Sequence, residues 1–146
     1  HRLPPERALT AISGRSVRIP KLDPERLRDL TRVGMEFESL AAEWATPKMS
    51  AADCAKLQEL VDKMALAAET GDTHAYVRSN HDFHFGVYRA SGSETLLTTI
   101  EGLWLQVSPY FHLLHGSGNY VAANEEHKLI LKAIRNIATP STRAGP

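Results

Sequence analysis

The chain has 146 residues, of which 42% are hydrophobic and 23% charged, and its 17 Lys+Arg balance 17 Asp+Glu. That length suffices for one domain with a real core, and the neutral balance argues against DNA contact by most of the chain, since DNA-binding modules normally carry a basic surplus. The single cysteine excludes an internal disulfide, and no apolar run is long enough to span a membrane. We therefore expect a cytoplasmic protein without a membrane partner.

Residues 1–22 differ in composition from the rest of the chain. They are basic, interrupted by proline and glycine, and have no apolar face long enough to fold alone. The stretch Ser16–Ile19 alone shows the alternation typical of a strand. We expect a short irregular N-terminal segment.

Helical patterns occupy residues 23–138. Capping and terminating residues predict five helices, with the following limits: Asp23 to Thr46, Ser50 to Gly71, Asp72 to Gly92, Ser93 to Leu114, and after the Gly116–Asn119 loop to about Ile137. Pro109 should kink or divide the fourth. Residues 139–146 have the composition of a disordered tail. The sequence thus predicts an all-α antiparallel bundle of five to six helices.

Asn80, His84 and His127 are the candidate metal ligands. Asn80 and His84 are four residues apart, so both lie on one face of the third helix. His127 follows on a later helix that can return to the same place. Imidazole suits Zn, Ni, Cu or Fe, and an oxygen donor is compatible with each. The competing interpretation is a polar surface pair or a satisfied pair of core histidines.

Several short segments around these residues resemble the all-helical ligand-binding (FCD) domain of GntR-type bacterial transcription regulators: Phe83-His84, Tyr88–Gly92, Leu96-Leu97, Gly102–Trp104 and Glu126-His127. The resemblance implies an Asp or Asn, a His one turn later, and two further histidines from later helices, which together hold a divalent metal such as Zn or Ni. The last of these histidines has no counterpart after His127. The metal is therefore expected to lack one ligand or to be absent, with His115 as a replacement ligand.

The resemblance also implies a small organic acid as effector. Arg32 matches the arginine of the family's first helix, with Glu36 one turn later, and an arginine fork pairs well with a carboxylate. The alternative is an ordinary Arg–Glu pair on the helix surface. Arg78 and Tyr88, on the metal-binding helix, are further effector-binding candidates.

Residues 1–22 resemble a remnant of a winged helix-turn-helix domain and its linker. Pro4–Leu9 is similar to the start of a recognition helix, which Thr10–Ile12 would continue, and Ser13–Pro20 looks like the last wing strand. Arg7 would belong to the former DNA interface. We expect the chain to be a fragment of a larger regulator that binds operator DNA through its full N-terminal domain.

The leading hypothesis is an effector-sensing domain rather than an enzyme. Acid binding at the metal would shift the helices of a homodimer and reorient its paired DNA-binding domains. One alternative is a metal-dependent enzyme on a helical bundle, although the sequence has no H-E-x-x-H motif. Another is a helical dimerisation domain without a ligand.

Overall fold

A computed structural model describes residues 10–12, 16–18, 21, 23–111 and 119–138. The predicted all-α fold is confirmed. Five α-helices are described in these ranges: α1 (Pro24–Ala45), α2 (Ala51–Thr70), α3 (Thr73–Ala90), α4 (Glu94–Val107) and α5 (Tyr120–Ala138). The predictions for Arg7, for His115 and for residues 139–146 lie outside the described residues.

The helix starts are fixed by the capping residues that the sequence predicts. Asp23 caps α1 by accepting hydrogen bonds from the amides of Glu25 and Arg26, at 3.0 and 3.3 Å. Ser50 and Asp53 form a reciprocal capping box at the start of α2, with bonds of 2.9 and 3.1 Å. These bonds satisfy amide groups that a helix leaves without internal partners.

α4 ends at Val107, two residues before Pro109, which was predicted to kink or divide this helix. The chain continues from Val107 into a short 3-10 helix, Ser108–Tyr110. Proline has no amide hydrogen to donate to the carbonyl of Leu105, and the Ser108 hydroxyl donates to that oxygen instead, at 3.3 Å. This turn places Phe111 against Trp104, with their ring centroids 5.4 Å apart.

The core lies where α3 packs against α1 and α2. α2 also packs against α5, and α1 against α4. The largest fully buried side chains come from α2, α3, α4 and α5: Val61, Met64, Phe83, Phe85, Ile100 and Leu131. Because α3 is covered on several sides, Ser79 and Tyr88 are buried in the bundle and His84 is partly buried, whereas His74 and Arg78 stay exposed. No helix in the described ranges is both long and apolar enough to cross a membrane.

Two short strands precede the bundle. Thr10–Ile12 pairs antiparallel with Ser16–Arg18, with Ala11 opposite Val17. The strand expected near Ser16 is present, but the expectation that Thr10–Ile12 continues a helix is wrong. Thr10 and Ile12 are β-branched residues, which favour strands over helices.

Candidate functional site

The helices α3 and α5 bring His84 and His127 into contact. Their Nε2 atoms are 3.1 Å apart. Phe83 packs edge-on against both imidazoles, with centroid distances of 5.5 Å to His84 and 5.0 Å to His127. The two rings are therefore held in place by the core, and each directs its Nε2 toward the other.

Both histidines line a cavity of about 290 Å³ between α1, α3, α4 and α5. Asn80 lies on the same wall, one turn before His84. Other lining residues include Gly34, Glu38, Tyr76, Trp104 and Glu126. No lysine or arginine occurs among the described residues that line it, so the side chains themselves supply no positive charge to an anion.

A carboxylate from α1 holds the other side of His84. Glu38 accepts a hydrogen bond from the Tyr88 hydroxyl and one from the Trp104 indole, each at 2.8 Å. The Tyr88 oxygen is also 3.3 Å from His84 Nδ1. Glu38 thus connects α1 to α3 and α4 at the cavity wall.

Burial sets the protonation of these groups. Burial, with smaller contributions from the neighbouring His127 and His81, lowers the pKa of His84 to about 3. At neutral pH the His84 imidazole is therefore uncharged, which is the state that a metal ligand requires. Burial, with the nearby charge of Glu38, also raises the pKa of Tyr88 above its ordinary value, so its hydroxyl keeps its proton.

Tyr76 contributes a buried hydroxyl to the cavity. Within the described part of the chain this hydroxyl has no hydrogen-bond partner, and a buried polar group without a partner is costly. Burial raises the pKa of Tyr76 to about 12, with further contributions from Tyr120 and Glu126. The hydroxyl is thus a donor that a cavity ligand can use.

The predicted effector-binding arginines lie elsewhere. The Arg32 side chain is 80% exposed and pairs with Asp29 at 3.0 Å, so it points away from the cavity. Arg78 is also exposed and does not line the cavity. Tyr88 is buried and reaches the site through its contacts with Glu38 and His84.

Glu38, Tyr76 and Trp104 are site residues that sequence reasoning missed. A signal for Glu38 was present, because it shares the inward face of α1 with the buried residues Gly34 and Ala41 at helical spacing. Glu36, the motif partner of Arg32, is exposed. A polar residue that lies on the same helix face as small buried residues is therefore a better candidate for a site residue than an exposed one.

The histidine pair has the separation expected of two adjacent metal ligands. Two nitrogens bound at about 2.1 Å to one ion lie about 3.0 Å apart at a right angle and about 3.4 Å apart in a tetrahedron, and the observed 3.1 Å falls between. The described residues contain no cluster of three or more His, Cys, Asp or Glu suited to a metal. The available protein donors are therefore two imidazoles and the Asn80 amide oxygen.

Comparison with known proteins adds independent information. The family model described as the FCD domain matches residues 29–139. The chain is similar to the HTH-type transcriptional regulator McbR of Escherichia coli (strain K12), with 28% identity over 131 residues, covering 88% of this chain and 59% of that protein. The solved structure of E. coli McbR/YncC has a TM-score of 0.78 at 28% identity and covers 88% of this chain and 65% of that chain. The chain thus spans less than two thirds of either.

Proposed function

Because the chain belongs to the FCD domain family, we propose that it is the effector-sensing domain of a bacterial transcription regulator of the GntR type. The similarity to a helix-turn-helix regulator over most of the chain supports this role. The observation that carries the proposal is the pair of imidazoles, buried for His127 and partly buried for His84, that face each other at 3.1 Å on the wall of a cavity.

His84, His127 and Asn80 would hold a divalent metal, with Zn or Ni as the expected ion. The neutral His84 imidazole and the Nε2 separation support this assignment. Asn80 is a neutral ligand, so none of the three ligands carries a charge that offsets the ion. When bound, the metal supplies a positive charge and open coordination positions to the cavity.

The effector would be a small organic acid. The cavity is slightly smaller than most small-molecule sites, which favours a small ligand. Glu38 and Glu126 on its wall disfavour an anion unless a cation is present. The metal therefore has the role that the sequence first suggested for Arg32 and Arg78. The Tyr76 hydroxyl would donate a hydrogen bond to the acid.

Regulation would follow from the position of the cavity between four helices. A ligand that contacts α1, α3, α4 and α5 favours one arrangement of these helices. α1 directly follows the N-terminal segment, so its movement would reach the DNA-binding domain of the whole regulator. In that regulator, a homodimer would bind operator DNA in the cytoplasm.

Two other functions have less support. A metal-dependent enzyme would need a reacting group beside the ion, and the match to an FCD domain and to a regulator favours a sensor. A dimerisation domain without a ligand leaves the cavity and the Tyr76 hydroxyl without a purpose.

Elemental analysis of the purified protein, followed by thermal shift with a panel of small carboxylic acids, tests the proposal. The sensor predicts about one Zn or Ni per chain and acids that raise the melting temperature. A protein that neither retains nor binds a divalent metal and responds to no acid contradicts it.

A further inference from the structure

We propose that Glu38 is a positioning residue that acts through Tyr88 to fix the tautomer of His84, so that the His84 Nε2 lone pair faces His127 and the cavity. Its purpose, metal binding, rests on the proposed function, whereas the tautomer itself does not. The side chains of Glu38, Tyr88 and His84 have few hydrogens to share, and this limits which atom can donate to which.

The first step concerns Glu38. One carboxylate oxygen accepts from Tyr88 and the other from Trp104, each at 2.8 Å. An ionised carboxylate is an acceptor only, so both neighbours must direct their hydrogens at it. Glu38 therefore determines the direction in which the Tyr88 O–H points.

The second step concerns Tyr88. A phenol has one hydrogen to donate, and in Tyr88 it is given to Glu38. The same oxygen lies 3.3 Å from His84 Nδ1 and retains its lone pairs for that contact. The contact is a hydrogen bond only if Nδ1 carries the hydrogen, so His84 is the donor.

The third step concerns the other nitrogen of His84. A neutral imidazole carries one N–H, and its second nitrogen is an acceptor. With Nδ1 protonated, the lone pair is on Nε2, which lies 3.1 Å from His127 Nε2. Without a metal, this lone pair accepts a hydrogen bond from His127. With a metal, the same lone pair would face the ion, and His127 would carry its hydrogen on Nδ1 instead of Nε2.

These hydrogen bonds from Glu38 through Tyr88 to His84 also connect the site to three helices. Glu38 is on α1, Tyr88 and His84 are on α3, and Trp104 is on α4. Hydrogen-bond partners of this kind orient metal-binding histidines, and removing one typically lowers metal affinity about 10- to 100-fold. A movement of α1 relative to α3 would therefore change the metal site directly.

The test is long-range ¹H–¹⁵N NMR of histidine-labelled, metal-free protein at neutral pH, which reports the tautomer of each ring. His84→Gln identifies the His84 signals. In the unmodified protein, His84 should carry its hydrogen on Nδ1. In Glu38→Gln the amide can donate to Tyr88, which frees the Tyr88 hydrogen for Nδ1, so the hydrogen should move to Nε2.

Two further variants separate positioning from folding. Glu36→Gln makes the same change at an exposed position of α1 and should leave the tautomer unaltered. Tyr88→Phe keeps the aromatic packing but removes the acceptor for Nδ1, so the Nδ1–H preference should be lost. Circular dichroism verifies that each variant is folded.

Zinc titrations of the same proteins give the second readout. Glu38→Gln and Tyr88→Phe should bind Zn²⁺ about 10- to 100-fold more weakly, and Glu36→Gln normally. An Nε2–H tautomer in the unmodified protein, or an unchanged tautomer in folded Glu38→Gln, overturns the inference. Absence of zinc binding by the unmodified protein would instead count against the proposed function, since the NMR result does not depend on zinc.

Discussion

The Nε2 atoms of His84 and His127 lie 3.1 Å apart although the residues are separated by 43 positions in the chain. The two imidazoles come from α3 and α5 and meet at a cavity wall that also includes Asn80. At this distance two positively charged imidazolium rings would repel each other. The two Nε2 atoms therefore share either one hydrogen, in a hydrogen bond, or a bound cation. Four predictions follow from the site and from the helix that supports it.

Replacement of the neutral ligand by a charged one should strengthen metal binding. Asn80→Asp places a carboxylate at the cavity wall, and its attraction to a divalent ion strengthens binding. We expect zinc affinity to rise about 10- to 100-fold by calorimetry. Asn136→Asp, the same change at an exposed position of α5, is the matched control. Equal zinc affinities in the unmodified protein, Asn80→Asp and Asn136→Asp would exclude Asn80 as a ligand.

Acid binding should require the metal. No lysine or arginine occurs among the described lining residues, so only the ion attracts a carboxylate into a cavity that contains two glutamates. With metal bound, an acid at 100 times its Kd should stabilise the fold by about 2.7 kcal/mol. After chelation, the shift in melting temperature should vanish, and the corresponding neutral amide should produce none in either state. An acid that stabilises the chelated protein equally well argues against metal-dependent recognition.

Removal of the Tyr76 hydroxyl should affect stability and ligand binding in opposite directions. In the ligand-free protein the hydroxyl is buried without a partner among the described residues, so Tyr76→Phe should stabilise the fold by about 1 kcal/mol in urea unfolding. The same variant loses one hydrogen bond to the acid, and the acid affinity should fall about two- to tenfold. Its zinc affinity should stay unchanged. A destabilised variant with normal acid binding would show that Tyr76 serves packing alone.

The capping box of α2 should make part of the stability dependent on pH. Hydrogen bonds from the Ser50 side chain and amide lower the pKa of Asp53 below its ordinary value of 3.8, and nearby Lys56 contributes. A carboxyl group with a lowered folded-state pKa stabilises the fold above its unfolded pKa, and this contribution is lost as the pH falls through the folded value.

Asp53→Asn should therefore lower the free energy of unfolding by less than about 1 kcal/mol at neutral pH, because the pair faces solvent. The difference should disappear at acidic pH. Ser50→Ala removes the largest cause of the shift, so adding Asp53→Asn to it should cost less than in the unmodified chain. If the difference in the free energy of unfolding stayed constant from neutral to acidic pH, the lowered pKa of Asp53 would not be its cause.

The helices were predictable because their limits depend on local chemistry. Asp23, Ser50, Asp72 and Ser93 accept bonds from the first amides of their own helices, and Pro109 cannot continue one. These are interactions within a few residues, which the sequence displays directly. Thr10–Ile12 was assigned wrongly because a motif resemblance was preferred over the strand preference of β-branched residues.

The site was predictable only in part, for a reason of distance along the chain. Asn80 and His84 are one helical turn apart, so their common face follows from the spacing. Glu38 contacts residues 50 and 66 positions away, which depends on the rotation of α1 against α3 and α4. The motif resemblance pointed instead to Arg32 and Glu36, which lie on the solvent face of α1. Metal binding itself remains a prediction.

Calorimetric titration of Zn²⁺ or Ni²⁺ into chelator-treated protein tests this site most directly. We predict about one ion per chain, with affinity lowered at least about 10-fold in His84→Gln and in His127→Gln, since losing a ligand costs at least as much as losing its hydrogen-bond partner. His74→Gln, an exposed histidine on α3, should bind normally. Binding that both ligand variants retain, or no binding by the folded unmodified protein, would contradict the account.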